Sequence, residues 1–408
     1  MELARFDPAP CGFPRPGIPP LPHRLEWTTA WDGLARIFHA FQQTKSPHFR
    51  HFSRGRYALG EAYRLAGLSP GSTLLAPAYH CMTMLDSALH LGADISFYPL
   101  TTDLSPDIGR LEAVFQASQK PVRALLATHF FGFAKDLSNL QTWCDENDIV
   151  LIEDCSHVLF TPFFQAPGTG VYGKFVVASP YKFFPCEDGG LLYAPESRDL
   201  DGVETTPTGV GDELRGVKHA IEHSWTSQRI PGGNRDRPKR IDEKLAALAT
   251  APMITGHETI NRYAQTSPYF SASACRTASL KVSQLIVKLT PVAALTAARQ
   301  ANYRRWSMAV GDLPHCRALF SVLPENTTPY MFPLLIAHPE PHFYWLKQLG
   351  FPVWRWDEMA VSSCAVAAKY RARLLHLPCH QSLSDAQMDW MVAVLSRTLR
   401  QSPAGSHP

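Results

Sequence analysis

The 408-residue sequence has no apolar run long enough to cross a bilayer, no CxxC pair, no internal repeat, and a net charge of only +3. Each of these absences closes a class of function. A membrane-spanning helix needs about 20 consecutive apolar residues, and no window supplies them. The first 25 residues carry proline and charge where a secretory leader would be apolar, so a soluble, cytoplasmic protein is expected. The nine cysteines are odd in number and scattered, which supports neither a disulfide framework nor a thiolate zinc site, and no metal is expected. A small, dispersed charge gives no concentrated basic face for nucleic acid. The one dense basic patch, Arg235, Arg237, Lys239 and Arg240, reads first as a solvated loop. Asp154, Ser156 and His157 are hydrolase residue types, but packed into one short turn they cannot form a relay, and no nucleophile elbow accompanies them. Gly168, Gly170 and Gly173 spell GxGxxG, yet they precede a strand instead of following one, which argues against a dinucleotide site.

What the sequence does contain is globular: 45% hydrophobic residues, 18% charged residues and 34 prolines. At roughly 150 residues per domain, the length suggests one large and one smaller domain. From residue 52 to 193 apolar runs alternate with amphipathic segments, the pattern of a mostly parallel sheet covered by helices on both faces. Strands are expected at 73–76, 94–98, 124–128, 149–152, 174–178 and 190–193, with helices at 57–66, 83–91 and 137–147. The pattern weakens over 198–271, where Gly232, Gly233 and Pro238 mark a loop, and this stretch reads as an insertion or dimer-contact region. A long helical segment broken near Pro291 runs to Trp306, followed by strands near 331–336 and Val353 and a last helix over 385–399. The expected division is an N-terminal arm (1–28), a large domain (29–285), a small C-terminal α+β domain (286–400) and a disordered tail (401–408).

Three features carry chemistry. Residues 148–157 form a short apolar strand that ends in Glu153 and Asp154, and in an open parallel sheet ligands bind at the carboxyl ends of strands. Ser179-Pro180-Tyr181-Lys182 follows the next strand, and Asp188-Gly189-Gly190 opens another. A desolvated amine is nucleophilic enough to condense with an aldehyde. Upstream, Ser53-Arg54-Gly55-Arg56 precedes a helix whose free amides and dipole would cradle a phosphate, with Arg56 as an added contact.

Together these features resemble the fold-type I pyridoxal phosphate (PLP) enzymes, and more specifically the DegT/StrS family of aminotransferases. The resemblance is carried by Pro77-Ala78-Tyr79, the ThrHisPhePheGlyPhe segment from Thr128, GluAspCysSerHis from Glu153, Lys182 with its following GlyGly, and LeuProCysHisGlnSerLeu from Leu377. It implies a three-layer αβα large domain with a mostly parallel sheet and a smaller C-terminal α+β domain. Lys182 would form the Schiff base with pyridoxal 5'-phosphate, and Asp154 would pair with its ring nitrogen. A carboxylate about 4 Å from that nitrogen at an effective dielectric near 20 contributes roughly 4 kcal/mol, or about three pKa units. Gly55, Arg56, Tyr57 and Ser179 would hold the phosphate. His157 stands where the family usually has glutamine, Cys81 aligns best with the stacking aromatic although Tyr79 or His80 could take that place, and Asn234 matches the asparagine from a neighbouring subunit. His129, Arg235 and Arg355 are substrate candidates, with Trp354 and Trp356 as an aromatic floor or as core.

The implied activity is transfer of an amino group, from glutamate or glutamine, to a keto or aldehyde carbon of a nucleotide-linked sugar or another biosynthetic intermediate, by a homodimer with shared sites. Two alternatives stay open: other PLP chemistry such as dehydration, C–C bond formation or a lyase reaction, and a non-catalytic regulatory relative.

Overall fold

The computed structural model describes residues 3–25, 46–159, 168–226, 237–251, 259–263 and 266–401. Its centre is a seven-stranded sheet. In chain order the twelve strands of the described residues are β1 (Leu3–Asp7), β2 (Phe49–Phe52), β3 (Thr73–Pro77), β4 (Asp94–Tyr98), β5 (Val122–Thr128), β6 (Val150–Asp154), β7 (Phe175–Ala178), β8 (Gly190–Tyr193), β9 (Thr259–Tyr263), β10 (Cys316–Ala318), β11 (Met331–Ile336) and β12 (Leu374–Pro378). The large sheet runs β2-β8-β7-β6-β5-β3-β4. Strands β4, β3, β5, β6 and β7 pair in parallel, and β8 is antiparallel to both of its neighbours. Burial on both faces is why Thr73–Pro77 and Phe175–Ala178 read as unbroken apolar runs.

Helices α1 (Gly55–Leu65), α2 (Asp86–His90), α3 (Ile108–Gln116) and α4 (Ser138–Glu146) cover this sheet. Ala58, Leu59, Ala62 and Tyr63 form the buried stripe of α1. The weakly patterned stretch after residue 198 is largely helical, with α5 (Val210–Thr226) and α6 (Arg237–Thr250). The long segment broken at Pro291 is α7 (Lys281–Leu289) followed by α8 (Val292–Val310). A three-stranded antiparallel sheet, β10-β11-β12, then packs with α9 (Pro339–Gln348), α10 (Ala365–Arg373) and α11 (Asp385–Arg400). Ser384 and Gln387 cap α11 reciprocally, each side chain bonded to the other's amide. Near Val353 there is only an isolated bridge from Trp354 to His376. The expected tail beyond residue 401 lies outside the described residues.

Two long-range links tie the ends of the chain to its middle. Strand β1 pairs with β9, and Arg5 also bridges to Ala360. From α8, the fully buried Arg299 donates to the carbonyls of Pro329, Tyr330, Lys182 and Phe183 and to Gln381 Oε1. Burial pushes its guanidinium down to about 10, still charged at neutral pH. Among the described residues, no helix is long and apolar enough to cross a membrane.

Three buried histidines set an acid limit on stability. Burial lowers His80 to about 4 and His376 and His380 to about 3. Each is neutral in the folded chain and protonates near pH 6.5 in the unfolded one. Their contribution is therefore complete above that pH and is lost as pH falls toward the folded-state values. Near pH 5, with about 1.4 kcal/mol per pH unit for each of the three, stability should drop by roughly 4 kcal/mol per unit. Urea midpoints between pH 7 and pH 5 measure this slope. A flat profile would mean that these rings are not held neutral.

Candidate active site

The carboxyl ends of β3, β5, β6 and β7 and the first turn of α1 converge on a cavity. The alternation of β6 sends Glu153 and Asp154 to opposite sides, so the two adjacent acids enter different surroundings. Asp154 lines the cavity, is 2% exposed, and accepts the Ser156 N–H at 2.9 Å. No arginine or lysine pairs with it among the described residues. Lys182 ends the short turn Pro180–Lys182, whose amide donates to Ser179 O at 3.0 Å. Its Nζ lies 5.7 Å from the Tyr330 ring centre and forms no ion pair among the described residues.

The end of the cavity at α1 is built for close approach. No side chain caps the helix at Arg54, which leaves its first amides to an external acceptor. A Cβ on Gly55 would sit 2.0 Å from Ser179 Oγ, so only glycine admits that hydroxyl beside the helix terminus. Ser179 donates to Ser156 Oγ at 3.1 Å. Arg56 lines the cavity with its guanidinium bonded to Tyr269 O, whereas Arg54 lies over the Tyr181 ring at 4.9 Å and donates to Glu187 O at 2.7 Å. Tyr57 points elsewhere: its hydroxyl accepts the Ser271 N–H and its ring packs on Phe270.

Of the three stacking candidates, Cys81 is on the lining. His80 is turned away; its ring stacks on Phe97 at 4.7 Å, its Nδ1 faces the Pro77 and Ala78 carbonyls, and its Nε2 accepts the Ala360 N–H. Tyr79 is buried behind Trp356, 4.7 Å between ring centres, with its hydroxyl on His376 Nε2 at 2.8 Å. Trp356 reaches the lining and Trp354 does not. His157 also lines the cavity, stacked on Tyr330 at 4.3 Å. Burial and then the charge of Lys182 hold its imidazole well below the usual value, so it is neutral.

Two substrate candidates are engaged elsewhere. His129 is fully buried away from the lining: its Nδ1 accepts the Lys135 N–H, so the proton is on Nε2, which donates to Glu153 Oε1 at 2.8 Å. The Glu153 carboxylate also accepts the amides of Gly170, Tyr172 and Gly173. Burial alone would raise this carboxyl, but the His129 hydrogen bond and the amides outweigh it and hold it low. His129, Glu153 and Cys155 have metal-ligand spacing, yet their donors and acceptors are already used on one another and on the glycine loop. The GxGxxG glycines thus bind a carboxylate of their own chain. Glu153→Gln replaces one acceptor with an NH2 facing amides and should cost about 1–3 kcal/mol of stability. The rate should stay within a few-fold of the parent, which urea midpoints and single-turnover rates together would check.

Arg355 is 7% exposed at its side chain, ion-paired with Asp357, donating to Ala372 O and stacked on Phe343, so it is not a free carboxylate clamp. Asn234 and Arg235 lie outside the described residues, as does the side chain of Arg237. The reading of the sequence gave no role to Arg54 or Thr128, although it quoted the segments that contain them, and it missed Tyr330, which packs on His157 and carries no local signal.

The residues present fit pyridoxal phosphate. Two buried polar atoms on the lining, His157 Nδ1 and Thr128 Oγ1, have no partner among the described residues. Buried polar atoms are nearly always satisfied, so both call for a polar ligand. Asp154 calls for a cation, and the α1 terminus with Ser179 for an anion.

Residues 32–204 match the DegT/DnrJ/EryC1/StrS aminotransferase family. GDP-perosamine synthase of Vibrio cholerae is 28% identical over 146 residues, 34% of this chain and 36% of that protein. A UDP-N-acetyl-3-dehydro-alpha-D-glucosamine 3-aminotransferase of Acidithiobacillus ferrooxidans is 25% identical over 206 residues, 48% and 49% of the two chains. The chain thus spans about a third to a half of the length of the curated relatives it matches. The fold is similar over nearly the whole chain. The aminotransferase TlmJ from Streptoalloteichus hindustanus superposes with a TM-score of 0.60 at 16% identity, covering 93% of this chain and 98% of that one. A DegT DnrJ EryC1 StrS aminotransferase from Brucella abortus gives 0.58 at 15% identity, covering 91% of each.

Proposed function

We propose that this chain is a PLP-dependent aminotransferase that moves an amino group from an amino acid to the keto carbon of a nucleotide-linked sugar. The observation that carries this reading is the cavity that joins the Lys182 amine, the buried and unpaired Asp154 carboxylate and the uncapped α1 terminus beside Ser179. When bound, the cofactor supplies an aldehyde and an electron-accepting ring. Asp154 holds a proton on the ring nitrogen by charge, and Ser156 fixes that carboxylate through its amide. Ser179 and the first amides of α1 hold the phosphate, with Arg54 beside them. Neutral His157 offers Nδ1 to the ring's oxygen substituent. Lys182 would hold the aldehyde carbon, and its amine would serve as the acid–base group for the proton at the substrate carbon. Trp356 closes the wall and excludes water, and Tyr330 packs behind His157.

The sugar-nucleotide acceptor is supported by the names of the two relatives above and by the engagement of Arg355, which leaves it unsuited to clamp an α-carboxylate. The test is the return half-reaction. Enzyme loaded with pyridoxamine phosphate is offered keto sugar nucleotides and simple 2-oxo acids separately, and recovery of the yellow absorbance is followed. Recovery with sugar nucleotides supports the reading; recovery with 2-oxo acids alone discards the sugar, and recovery with neither discards this transamination.

A cytoplasmic, homodimeric protein completes the proposal. All nine cysteines are free thiols, as a reducing compartment would keep them. On α5, Val210, Leu214, Val217, Ile221 and Trp225 repeat at helical spacing and are 40–82% exposed, an apolar stripe suited to a second copy. Leu214→Glu with Ile221→Glu should convert a dimer to a monomer in sedimentation, with loss of activity if the sites are shared. A parent chain that is monomeric and fully active at micromolar concentration would contradict this.

A further inference from the structure

Away from the cavity, three imidazoles from two segments meet where β10 and α9 begin. The His315 ring centre lies 4.9 Å from that of His338 and 6.0 Å from that of His342, and the last two are 6.0 Å apart. The backbone holds them there. His315 adopts a left-handed conformation, φ 63°, uncommon outside glycine and asparagine, and its carbonyl accepts the Ala337 N–H at 2.7 Å. His342 is 0% exposed. Its Nε2 faces the Gln401 carbonyl at 2.9 Å; a carbonyl only accepts, so the proton is on Nε2 and Nδ1 is left as a lone pair. That Nδ1 is buried and has no partner among the described residues.

We propose that His315, His338 and His342 form a binding site for a divalent transition-metal ion of the zinc, copper or nickel class. Metal-bound imidazoles characteristically donate the second ring N–H to a carbonyl, which fixes the tautomer and leaves the ligating nitrogen free. His342 has this arrangement in place. Three imidazoles on one tetrahedral ion, each bonded at about 2.0–2.1 Å, keep their ring centres roughly 5 Å apart. One pair of rings already stands at that spacing, but the three donor nitrogens do not yet all lie within 4.8 Å of one another, so an ion would have to draw the side chains together by rotation as well as by about 1 Å of approach. Three nitrogen donors favour borderline ions over magnesium or calcium, which take oxygen, and leave a fourth position for water. An ion there would tie the turn before β10 to the start of α9 and, through His342 and Gln401, to the end of α11.

His219 and His223 also stand close, 4.0 Å between ring centres, with His23 at 4.5 Å from His223, and would compete for added metal. The experiment therefore uses the untagged full chain carrying H219Q and H223Q, titrated calorimetrically with Zn2+. One equivalent per chain is expected, and adding H315N and H338Q should weaken it at least about a hundredfold. Asparagine tolerates the left-handed backbone at 315, and far-UV circular dichroism checks the fold. No bound equivalent, or one that survives the added substitutions, would overturn the proposal. If the fourfold variant does not fold, Co2+ added to the H219Q/H223Q chain decides: intense tetrahedral d–d bands support the site, and a weak octahedral spectrum or none overturns it.

Discussion

Replacing Lys182 with alanine is expected to slow amino transfer by on the order of 10⁴-fold, the upper range for loss of a positioned acid–base group. The geometry makes this a clean substitution. What secures the Lys182 turn is backbone: its amide donates to Ser179 O, its carbonyl and that of Phe183 accept Arg299, and Gln381 adds a second bond to Phe183 O. None of these uses the side chain, so alanine removes the amine and leaves the turn. The phosphate end is separate from Lys182 as well, so the variant should still take up the cofactor. Three measurements check the assignment: turnover, cofactor content after gel filtration, and the peptide labelled when the parent holoenzyme is reduced with borohydride. The label is expected on the peptide that contains Lys182. Turnover within tenfold of the parent, or a label on another lysine, would end the assignment. Small primary amines added to Lys182→Ala should restore part of the rate, because they fit the space left by the side chain.

Asp154→Asn should lower the rate of the first half-reaction by about three powers of ten, from the roughly 4 kcal/mol that a nearby carboxylate contributes to a ring proton. The fold should be indifferent to the change. The asparagine amide would keep an oxygen for the Ser156 N–H, now accepted by Asp154 Oδ1, and its volume is nearly that of aspartate. The burial that makes the carboxylate effective also makes it costly, since a charge 2% exposed without a cation carries a desolvation penalty that the neutral amide escapes. Asp154→Asn without cofactor is thus expected to be at least as stable as the parent without cofactor, while its half-reaction is slow. Stopped-flow absorbance with glutamate or glutamine gives the rate, and urea midpoints give the stability. A parent-like half-reaction would remove Asp154 from the mechanism.

The sequence made the sheet readable because its inner strands are mostly apolar runs; the edge strand at 94–98 and the strand at 190–193 were placed to the residue. Strand β2 was overlooked because Arg50 and His51 interrupt it, and β1 with β9 because their pairing joins residues over 250 positions apart. Within the site the same division holds. Asp154, Ser179 and Lys182 follow strand ends, and Gly55 opens a helix, so local pattern exposes them. Trp356 reaches the cavity and Tyr330 backs His157 only because the C-terminal part folds back, and no local pattern announces that. His129 misled because a histidine beside a functional strand looks reactive in one dimension; only three dimensions reveal that its two nitrogens are both spoken for.

Arg299 bears on how far this chain can be divided. A split near Pro291, where the helical segment breaks, looks natural in the sequence, and the large sheet lies entirely before it. Yet the donor for the carbonyls of Lys182 and Phe183 comes from beyond that point, and so does Gln381. A fragment ending there would retain every sheet strand and the reactive amine but lose the clasp that fixes the amine's position. Alone, the N-terminal part would hold Lys182 on an unclasped turn, and the C-terminal part supplies the donors that fix its position.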